Sequence, residues 1–248
     1  VSAGAEDVAD MLYEETGLLV EVFVATDYTA AIEALCSEQA QMGSLATFAA
    51  IAAADRDCAY PELVATRYGL PTYQGQLIAG ADTGITGYED LEGKTFCATD
   101  ETSTSGYIIP SIYMQAAGLT PNEDVDIIFA GSHDAAVINV YNGQCDAGAS
   151  YVDARDGVED EFEDVKEKVL QVDISMDIPN DGVQFIKDFP EDMKQSIIDG
   201  LLAIMETEEG QAAMDMAYEW DGLEVHDNSF YDPFRALLDA AGVSPADM

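Results

Sequence analysis

Residues 95–107, TFCATDETSTSGY, pass from a short apolar run through a turn of hydroxyl side chains to a glycine and an aromatic residue. The first four residues predict a strand, and the residues from Gly106 onward predict a helix. Ser103, Thr104 and Ser105 then lie where backbone N–H groups have no partner inside the helix. Such groups, together with the helix dipole, favour an anion. A plain helix-capping role for Ser103 or Thr104 is the alternative.

The same alternation of strand and helix patterns continues on both sides of this segment. The predicted strands are Val20–Val24, Gln41–Leu45, Leu63–Arg67, Gln76–Gly80, Thr95–Ala98, Asp126–Phe129, Ala147–Ser150, Val169–Val172 and Gly182–Ile186. The predicted helices are 5–16, Thr29–Ser37, Thr47–Asp55, Gly106–Ala117, Asp134–Asn142, Lys194–Met205, Glu208–Trp220 and Asp232–Ala241. Strands separated by helices of about 10–15 residues predict an α/β fold with parallel sheets.

Two further strand-to-helix junctions carry polar or aromatic side chains. Residues 130–136, AGSHDAA, place His133 at a helix start, and residues 26–29, TDYT, place Tyr28 in a similar turn. Taken singly, His133 fits a capping or surface role, and Tyr28 fits packing on its own lobe. Taken together, the junctions match the strand ends at which open α/β sheets bind ligands.

The charge balance narrows the choice of partners. Nine Lys and Arg residues face 49 Asp and Glu residues, for a formal net charge of -40. A charge of this size repels polyanions, so nucleic acids and anionic membrane surfaces are not expected partners. An acidic, solvated, halophile-like surface is the simplest interpretation, because screening shortens to about 3 Å in 1 M salt.

Four cysteines, Cys36, Cys58, Cys97 and Cys145, include no CxxC pair, and the chain has two histidines. A structural zinc site is therefore not expected. Three disulfide connectivities are possible, with free buried thiols as the alternative. Pairing Cys36 with Cys58 and Cys97 with Cys145 gives the shortest loops, and it would keep each bridge inside one lobe if the chain forms two lobes of residues 1–79 plus 182–248 and 80–181. Disulfides indicate an oxidising compartment.

Five segments together resemble one protein family. They are VFVATDY (22–28), IEAL (32–35), STSGY (103–107), GSHDA (131–135) and IPND (178–181). On these segments the chain resembles the phosphate, phosphite and phosphonate-binding proteins of ABC transporters, over essentially its whole length.

The resemblance implies a two-lobed periplasmic-binding-protein fold of type II, the venus flytrap, with an oxyanion in the cleft. No linker separates two halves of the sequence, so we expect two crossovers, with 1–79 plus 182–248 as lobe I and 80–181 as lobe II. The family begins with a strand before the first helix. We therefore expect a strand to precede the given residues.

The resemblance also implies a set of ligand contacts. The expected ligand-binding residues are Tyr28, Tyr73, Ser103, Thr104, Ser105, His133, Tyr151 and Asp181, with Asp153 beside Tyr151 at the far wall. The matched motifs contain no Lys or Arg, so hydroxyls, amides and His133 would hold the anion. A carboxylate only accepts hydrogen bonds. Unless Asp181 merely forms a turn, it predicts a ligand that carries a P–OH or an ammonium group.

The expected function follows from these features. The chain would be an extracytoplasmic binding protein, either periplasmic or a cell-surface lipoprotein, for phosphonate, phosphite or phosphate. It would act as a monomer with a membrane permease and no cofactor. A binder of sulfonates or a thiamine precursor, or a sensor, is the alternative. A hydrolase triad of Ser103, His133 and Asp181 is not expected, because no GxSxG elbow is present.

Overall fold

The computed structural model describes residues 2–245 and divides them into two compact units. Unit 1 comprises the described residues up to Thr72 and from Pro179 onward, and unit 2 comprises Tyr73–Ile178. The chain therefore passes twice between the units. The predicted crossovers, after residues 79 and 181, lie a few residues later. Residues 75–79 pair with a strand of unit 2, which explains the earlier first crossing.

The regular elements follow one another in βα succession. The helices are α1 (Ser2–Thr16), α2 (Tyr28–Cys36), α3 (Thr47–Asp55), α4 (Ile109–Ala116), α5 (His133–Tyr141), α6 (Val165–Lys168), α7 (Glu191–Met205), α8 (Glu208–Tyr218) and α9 (Asp232–Ala241). The strands are β1 (Met42–Leu45), β2 (Ala59–Thr66), β3 (Thr72–Gly80), β4 (Thr95–Ala98), β5 (Asp126–Phe129), β6 (Ala147–Tyr151), β7 (Val169–Pro179), β8 (Gly182–Ile186) and β9 (Gly222–Val225). Within residues 2–245, no helix combines the length and apolar character needed to cross a membrane.

Unit 1 is built on a four-stranded sheet in the order β1-β8-β2-β9. Alternate residues of a strand point to opposite faces, and the core follows that rule. Val183 and Phe185 of β8 pack with apolar side chains of α1, α7 and α8, including Leu12 and Leu201. Ile186 packs with α2 and α3 on the other side. The sheet therefore buries both of its faces.

Unit 2 contains a five-stranded sheet in the order β5-β4-β6-β3-β7. Strand β4 runs parallel to β5 and β6, whereas β3 runs antiparallel to β6. The carboxyl ends of β4, β5 and β6 therefore lie at one edge of this sheet. That edge is where the sequence predicts polar turns.

Most predicted elements are confirmed, but Val20–Val24 is not a strand. The side chains of Leu19, Phe23 and Val24 are exposed. A β-branched, aromatic run forms a strand only where a neighbouring backbone accepts and donates hydrogen bonds, and this run pairs with no strand of the described chain. The segment instead borders an apolar cavity of about 760 Å³, whose wall includes α1, β1 and α7.

The expectation of parallel sheets was wrong for unit 1. Strand β8 returns between β1 and β2 and runs antiparallel to both, and β9 is antiparallel to β2. Strand β9 was not predicted at all. Strand β7 extends to Pro179 rather than ending at Val172, because the polar residues of VLQVDISMDIP continue the strand on an exposed face.

Both disulfides predicted as the shortest pairing are present. Cys36 bonds to Cys58 in unit 1, and Cys97 bonds to Cys145 in unit 2. Each bridge therefore closes a loop inside one unit, as expected.

Candidate ligand-binding site

The turn after β4 is a network of short-range hydrogen bonds. Asp100 Oδ1 accepts the backbone N–H and the hydroxyl of Thr102, each at 2.8 Å. The backbone N–H of Ser103 donates to the carbonyl of Asp100 at 3.1 Å. These bonds hold the chain so that Ser103, Thr104 and Ser105 follow directly as a buried group, at 1%, 1% and 3% exposure.

The three hydroxyl residues begin a short π-helical turn, Thr104–Ile108, which continues into α4. Ser103 is its N-cap, because its hydroxyl oxygen accepts the N–H of Gly106 at 3.3 Å. An accepting hydroxyl still has its own proton to donate. The Ser105 hydroxyl has no hydrogen-bond partner among the described residues. The turn thus keeps donors available at a helix start, where the dipole favours an anion.

Two glycines allow this turn to approach its neighbours. A Cβ placed on Gly106 would lie 2.1 Å from the Thr99 hydroxyl oxygen, so no larger residue fits there. A Cβ on Gly75 would lie 3.0 Å from the Cβ of Ser105. Strand β3 therefore lies directly against the hydroxyl turn.

His133 is held beside the same turn. Parallel pairing of β4 with β5 continues beyond both strands, because Ala130 and Gly131 donate backbone N–H groups to Ala98 and Thr99 at 2.8 Å. Helix α5 starts at His133, capped by the Ser132 hydroxyl. The imidazole Nδ1 then lies 3.4 Å from the Thr99 hydroxyl oxygen.

Aromatic side chains border this polar group. The ring of Tyr151, at the end of β6, meets the ring of His133 edge to face, with centroids 4.8 Å apart. Gly75 is the strand partner of Tyr151. Tyr73 precedes Gly75 by two residues on β3 and so lies on the same face of the strand. Asp153 is exposed in the turn after Tyr151.

The structure thus brings together most of the predicted residues of unit 2. The hydroxyl turn, His133 and Tyr151 meet at the carboxyl ends of β4, β5 and β6, with Tyr73 on the strand that contacts the turn. Unit 1 carries the other two predicted residues, Tyr28 and Asp181.

Tyr28 is the first residue of α2 and is half-buried. The preceding residue, Asp27, caps the helix, because its Oδ1 accepts the N–H of Ala30 at 2.7 Å. This cap fixes where the helix begins and therefore where the tyrosine ring leaves the backbone. Within the TDY sequence, Asp27 therefore has a structural role as a helix cap, whatever the role of Tyr28.

Asp181 is paired with a cation that the sequence motifs do not contain. Arg67 Nη1 lies 2.5 Å from Asp181 Oδ1, and Arg67 Nη2 lies 3.3 Å from Oδ2. The indole Nε1 of the buried Trp220 also donates to Oδ2, at 2.8 Å. Burial raises the pKa of Tyr218, and the nearby Asp181 carboxylate adds to this shift. The Asp181 carboxylate is therefore part of an ion pair and lies near the neutral phenol of Tyr218.

Asn180, the neighbour of Asp181, is fully buried and joins three backbone segments. Its Nδ2 donates to the carbonyls of Ala65 and Leu70, each at 2.9 Å. Its own carbonyl accepts the Tyr231 hydroxyl at 3.0 Å. Residues 179–181 of the IPND segment are therefore fixed in unit 1 independently of any ligand.

The arrangement suits anion binding by neutral donors, and the comparison with known proteins points the same way. Residues 1–231 match the model of a family described as "ABC transporter, phosphonate, periplasmic substrate-binding protein". The chain belongs to this family. The resemblance seen in the sequence motifs is thereby confirmed.

Members of this phosphonate-binding family share both sequence and fold with the chain. It is 31% identical over 162 residues to the phosphate-import protein PhnD of Mycolicibacterium smegmatis, an alignment covering 61% of this chain and 50% of that protein. The chain thus spans about half the length of that relative.

Solved structures of the phosphonate-binding family establish the fold. The binding component of an ABC phosphonate transporter from Pseudomonas aeruginosa matches with a TM-score of 0.87 at 22% identity, over 97% of this chain and 82% of that one. PhnD1 from Prochlorococcus marinus, in complex with methylphosphonate, matches with a TM-score of 0.84 at 15% identity, over 97% and 93%. The fold is the two-lobed type II periplasmic-binding-protein fold, as predicted.

The sequence motifs missed three residues that shape this family member's candidate site: Thr99, Gly75 and Arg67. Thr99 directly follows a predicted strand, so its position was a usable signal. Arg67 is one of only nine Lys and Arg residues and stands at a strand end, which marks it as unusual in this acidic chain. Gly75 had no distinguishing signal, because its role depends on a neighbour far away in sequence.

Proposed function

We propose that the protein is the substrate-binding component of an ABC importer and binds a small phosphorus oxyanion: a phosphonate, phosphite or phosphate. The observation that carries this proposal is the buried group Ser103, Thr104 and Ser105 at a helix start, with His133 beside it, on the scaffold of the phosphonate-binding family. Hydrogen bonds to an ionised acceptor are roughly twice as strong as neutral ones, so no Lys or Arg is needed at the phosphorus oxygens.

The remaining predicted residues complete the proposed site. Tyr73 and Tyr151 of unit 2 are proposed to contact the ligand as well, and Tyr28 and Asp181 of unit 1 are proposed as further ligand contacts. Asp181 would accept a hydrogen bond from a P–OH or an ammonium group. Its pairing with Arg67 lowers the repulsion that a lone carboxylate would exert on an oxyanion.

Family membership supports a proposal for the cellular setting. We propose that the protein works outside the cytoplasm, in a periplasm or as a cell-surface lipoprotein, as a monomer that delivers its ligand to a membrane permease. Closure on the ligand would give the permease its signal, because a ligand that binds the closed form more tightly shifts the population towards it. The strongly negative charge gives no electrostatic steering of an anionic ligand at low salt.

A ligand screen tests the proposal. Thermal unfolding would be followed with phosphite, methylphosphonate, phosphate, sulfate and taurine, each well above its dissociation constant. A ligand at 100 times its Kd stabilises the native state by about 2.7 kcal/mol. We expect stabilisation by at least one phosphorus oxyanion and none by sulfate or taurine. Stabilisation by taurine alone would support the sulfonate-binding alternative and contradict the proposal.

Ester hydrolysis by a serine, histidine and aspartate triad is a second possible function, and the geometry of these residues does not support it. The His133 Nδ1 faces the Thr99 hydroxyl, and the Asp181 carboxylate is bound by Arg67 and Trp220. A serine nucleophile needs a histidine that is itself oriented by a carboxylate. We expect no turnover of an activated ester such as p-nitrophenyl acetate above the rate of the Ser103→Ala variant.

A further inference from the structure

Arg67 joins three parts of unit 1 through one guanidinium group. It follows β2 directly and donates to Asn180 Oδ1 at 3.2 Å and to both carboxylate oxygens of Asp181. Its Nη2 also donates to the carbonyl of Tyr218, the last residue of α8, at 3.0 Å. A cation at a helix C-terminus is favoured by the helix dipole. The guanidinium is therefore fixed in orientation as well as in position.

The donors on Asp181 use its two oxygens unequally. Oδ2 accepts from Arg67 Nη2 and from Trp220 Nε1, whereas Oδ1 accepts from Arg67 Nη1 alone among the described residues. An ionised carboxylate has about four lone-pair sites, two on each oxygen. Oδ2 is thus satisfied, and Oδ1 retains one site. The Asp181 side chain is 19% exposed, so the remaining site is not sealed from solvent.

The pairing also changes the charge that Asp181 presents. The two side chains carry opposite unit charges in bidentate contact, and both are largely buried, at 24% and 19% exposure. A carboxylate alone beside an oxyanion would repel it, whereas the ion pair presents no net charge. A bidentate arginine–carboxylate pair fixes geometry as well as charge, which a lysine does not reproduce fully.

We propose that Arg67 is a positioning residue that sets ligand specificity: it neutralises Asp181 and leaves one lone-pair site of Oδ1 for a hydrogen-bond donor on the ligand. This inference rests on the proposed function, since it takes Asp181 as a ligand contact. Through Arg67, the protein binds phosphorus oxyanions with or without an ammonium group. Without Arg67, the exposed carboxylate selects for ligands that carry a cation.

Two ligands of equal size separate this role from a structural one. The amine of 2-aminoethylphosphonate occupies the position of the terminal methyl group of n-propylphosphonate. Titration calorimetry gives the ratio of their dissociation constants for each variant. In Arg67→Met we expect the ratio to move in favour of the amine by about tenfold or more, because an uncompensated charge several ångströms from the ligand changes affinity by that order. Arg67→Lys should lie nearer the wild type.

Further variants of the Arg67–Asp181 pair, which differ in net charge, keep the test decisive if Arg67→Met folds poorly. Asp181→Asn leaves the arginine charge uncompensated, so the ratio should move towards n-propylphosphonate. The double variant Arg67→Met with Asp181→Asn carries neither charge and should lie between the two single variants. Arg56→Met serves as the control, because Arg56 pairs with Glu33 on the surface of the same unit and its loss changes the net charge equally. Its ratio should equal that of the wild type.

The outcomes distinguish the inference from the function on which it rests. If the wild type binds neither phosphonate, nor phosphite or phosphate, the proposed function fails. If the wild type binds them and every folded variant weakens both phosphonates by the same factor, the function stands and the role of Arg67 is purely structural, which overturns the inference. The inference is supported if the ratio of the two phosphonate dissociation constants follows the net charge of the Arg67–Asp181 pair across the variants.

Discussion

The hydroxyl oxygen of Thr99 lies 3.4 Å from Nδ1 of His133, and the two residues follow neighbouring parallel strands. Backbone hydrogen bonds from residues 130 and 131 extend the pairing of these strands into the turns. The imidazole is therefore placed by the sheet itself and not by a mobile loop. The same sheet edge carries the hydroxyl turn, so the donors proposed for the oxyanion share one rigid support.

Ser105 and Ser103 should respond differently to the same substitution. Ser105→Ala removes a hydroxyl that has no partner in the described chain, so we expect an unchanged melting temperature and a loss of affinity for the phosphorus oxyanion of about tenfold or more, since hydrogen bonds to charged groups contribute roughly 1.5–3 kcal/mol. Ser103→Ala also removes an N-cap, which costs about 0.5–2 kcal/mol of stability. Calorimetric titration and thermal unfolding give the two quantities. Equal affinity of Ser105→Ala and the wild type would exclude Ser105 from the site.

The close approach of β3 to the hydroxyl turn predicts a sensitive position at Gly75. Gly75→Ala places a methyl group 3.0 Å from the Ser105 Cβ, so Ser105 must move by a few tenths of an ångström. We expect weaker binding of the oxyanion, with the fold retained, because donor geometry controls a charge-assisted bond. Gly157→Ala is the control, since a Cβ added there would lie 3.5 Å from Asp134 Oδ1, an ordinary contact distance. Both variants would be titrated, and identical affinities would show that Gly75 has no influence on the site.

The buried amide of Asn180 predicts a large stability effect. Asn180→Ala removes the donor at 2.9 Å from the buried carbonyl of Ala65, and it removes one of two donors from the carbonyl of Leu70, which keeps the Arg67 N–H at 3.0 Å. An unsatisfied buried polar group costs about 1–3 kcal/mol, so we expect the free energy of unfolding to fall by roughly 2–4 kcal/mol. Chemical denaturation measures it. The exposed Asn142 provides the control, because Asn142→Ala should stay within about 0.5 kcal/mol of the wild type. A change at Asn180 as small as this would contradict its role in fixing the IPND segment.

Asp146 predicts a specific loss of stability in acid. The backbone N–H of Thr95 lowers the pKa of this carboxylate, and the Thr95 hydroxyl and Lys94 act in the same direction. A lowered native pKa means that the stabilisation is present above the unfolded pKa of about 3.9 and is lost as the pH falls through the native value.

The measurement for Asp146 is the free energy of unfolding as a function of pH. Asp146→Asn should be less stable than the wild type at pH 7 by about 1–2 kcal/mol, and the gap should close below roughly pH 4. Asp126 is an exposed carboxylate on β5, so the free energy of unfolding of Asp126→Asn should vary with pH in the same way as that of the wild type. A gap that is independent of pH would assign the effect to packing and not to ionisation.

The sequence predicted the elements whose local pattern agrees with their tertiary setting. Thr95–Ala98, Asp126–Phe129 and Thr47–Asp55 have the predicted bounds because a short apolar run or an alanine-rich stretch needs no distant partner to be recognised. Val20–Val24 failed for the opposite reason, since a strand exists only through its neighbour. The antiparallel placement of β8 between β1 and β2 likewise depends on long-range topology.

The residues of the candidate site also fall into those that local sequence identifies and those that depend on long-range contacts. Ser103, Thr104, Ser105 and His133 stand next to predicted strand ends, so local sequence placed them. The pairing of Asp181 with Arg67 joins residues 114 positions apart, and the contact of Gly75 with Ser105 joins different strands and turns. No spacing rule predicts such contacts. These contacts are visible only in the folded structure. The pairing with Arg67 shows that Asp181 belongs to an ion pair and is not the lone carboxylate that the sequence motifs suggested.

A crystal structure of the protein with methylphosphonate tests most directly how the anion is held. We expect phosphonate oxygens within about 2.5–3.2 Å of the hydroxyl and the backbone N–H of Ser105, and of the hydroxyls of Ser103 and Thr104. We also expect no Lys or Arg nitrogen within about 4 Å of those oxygens. A phosphonate gripped by Arg67 or by another cationic side chain, or bound away from residues 103–105, would contradict it.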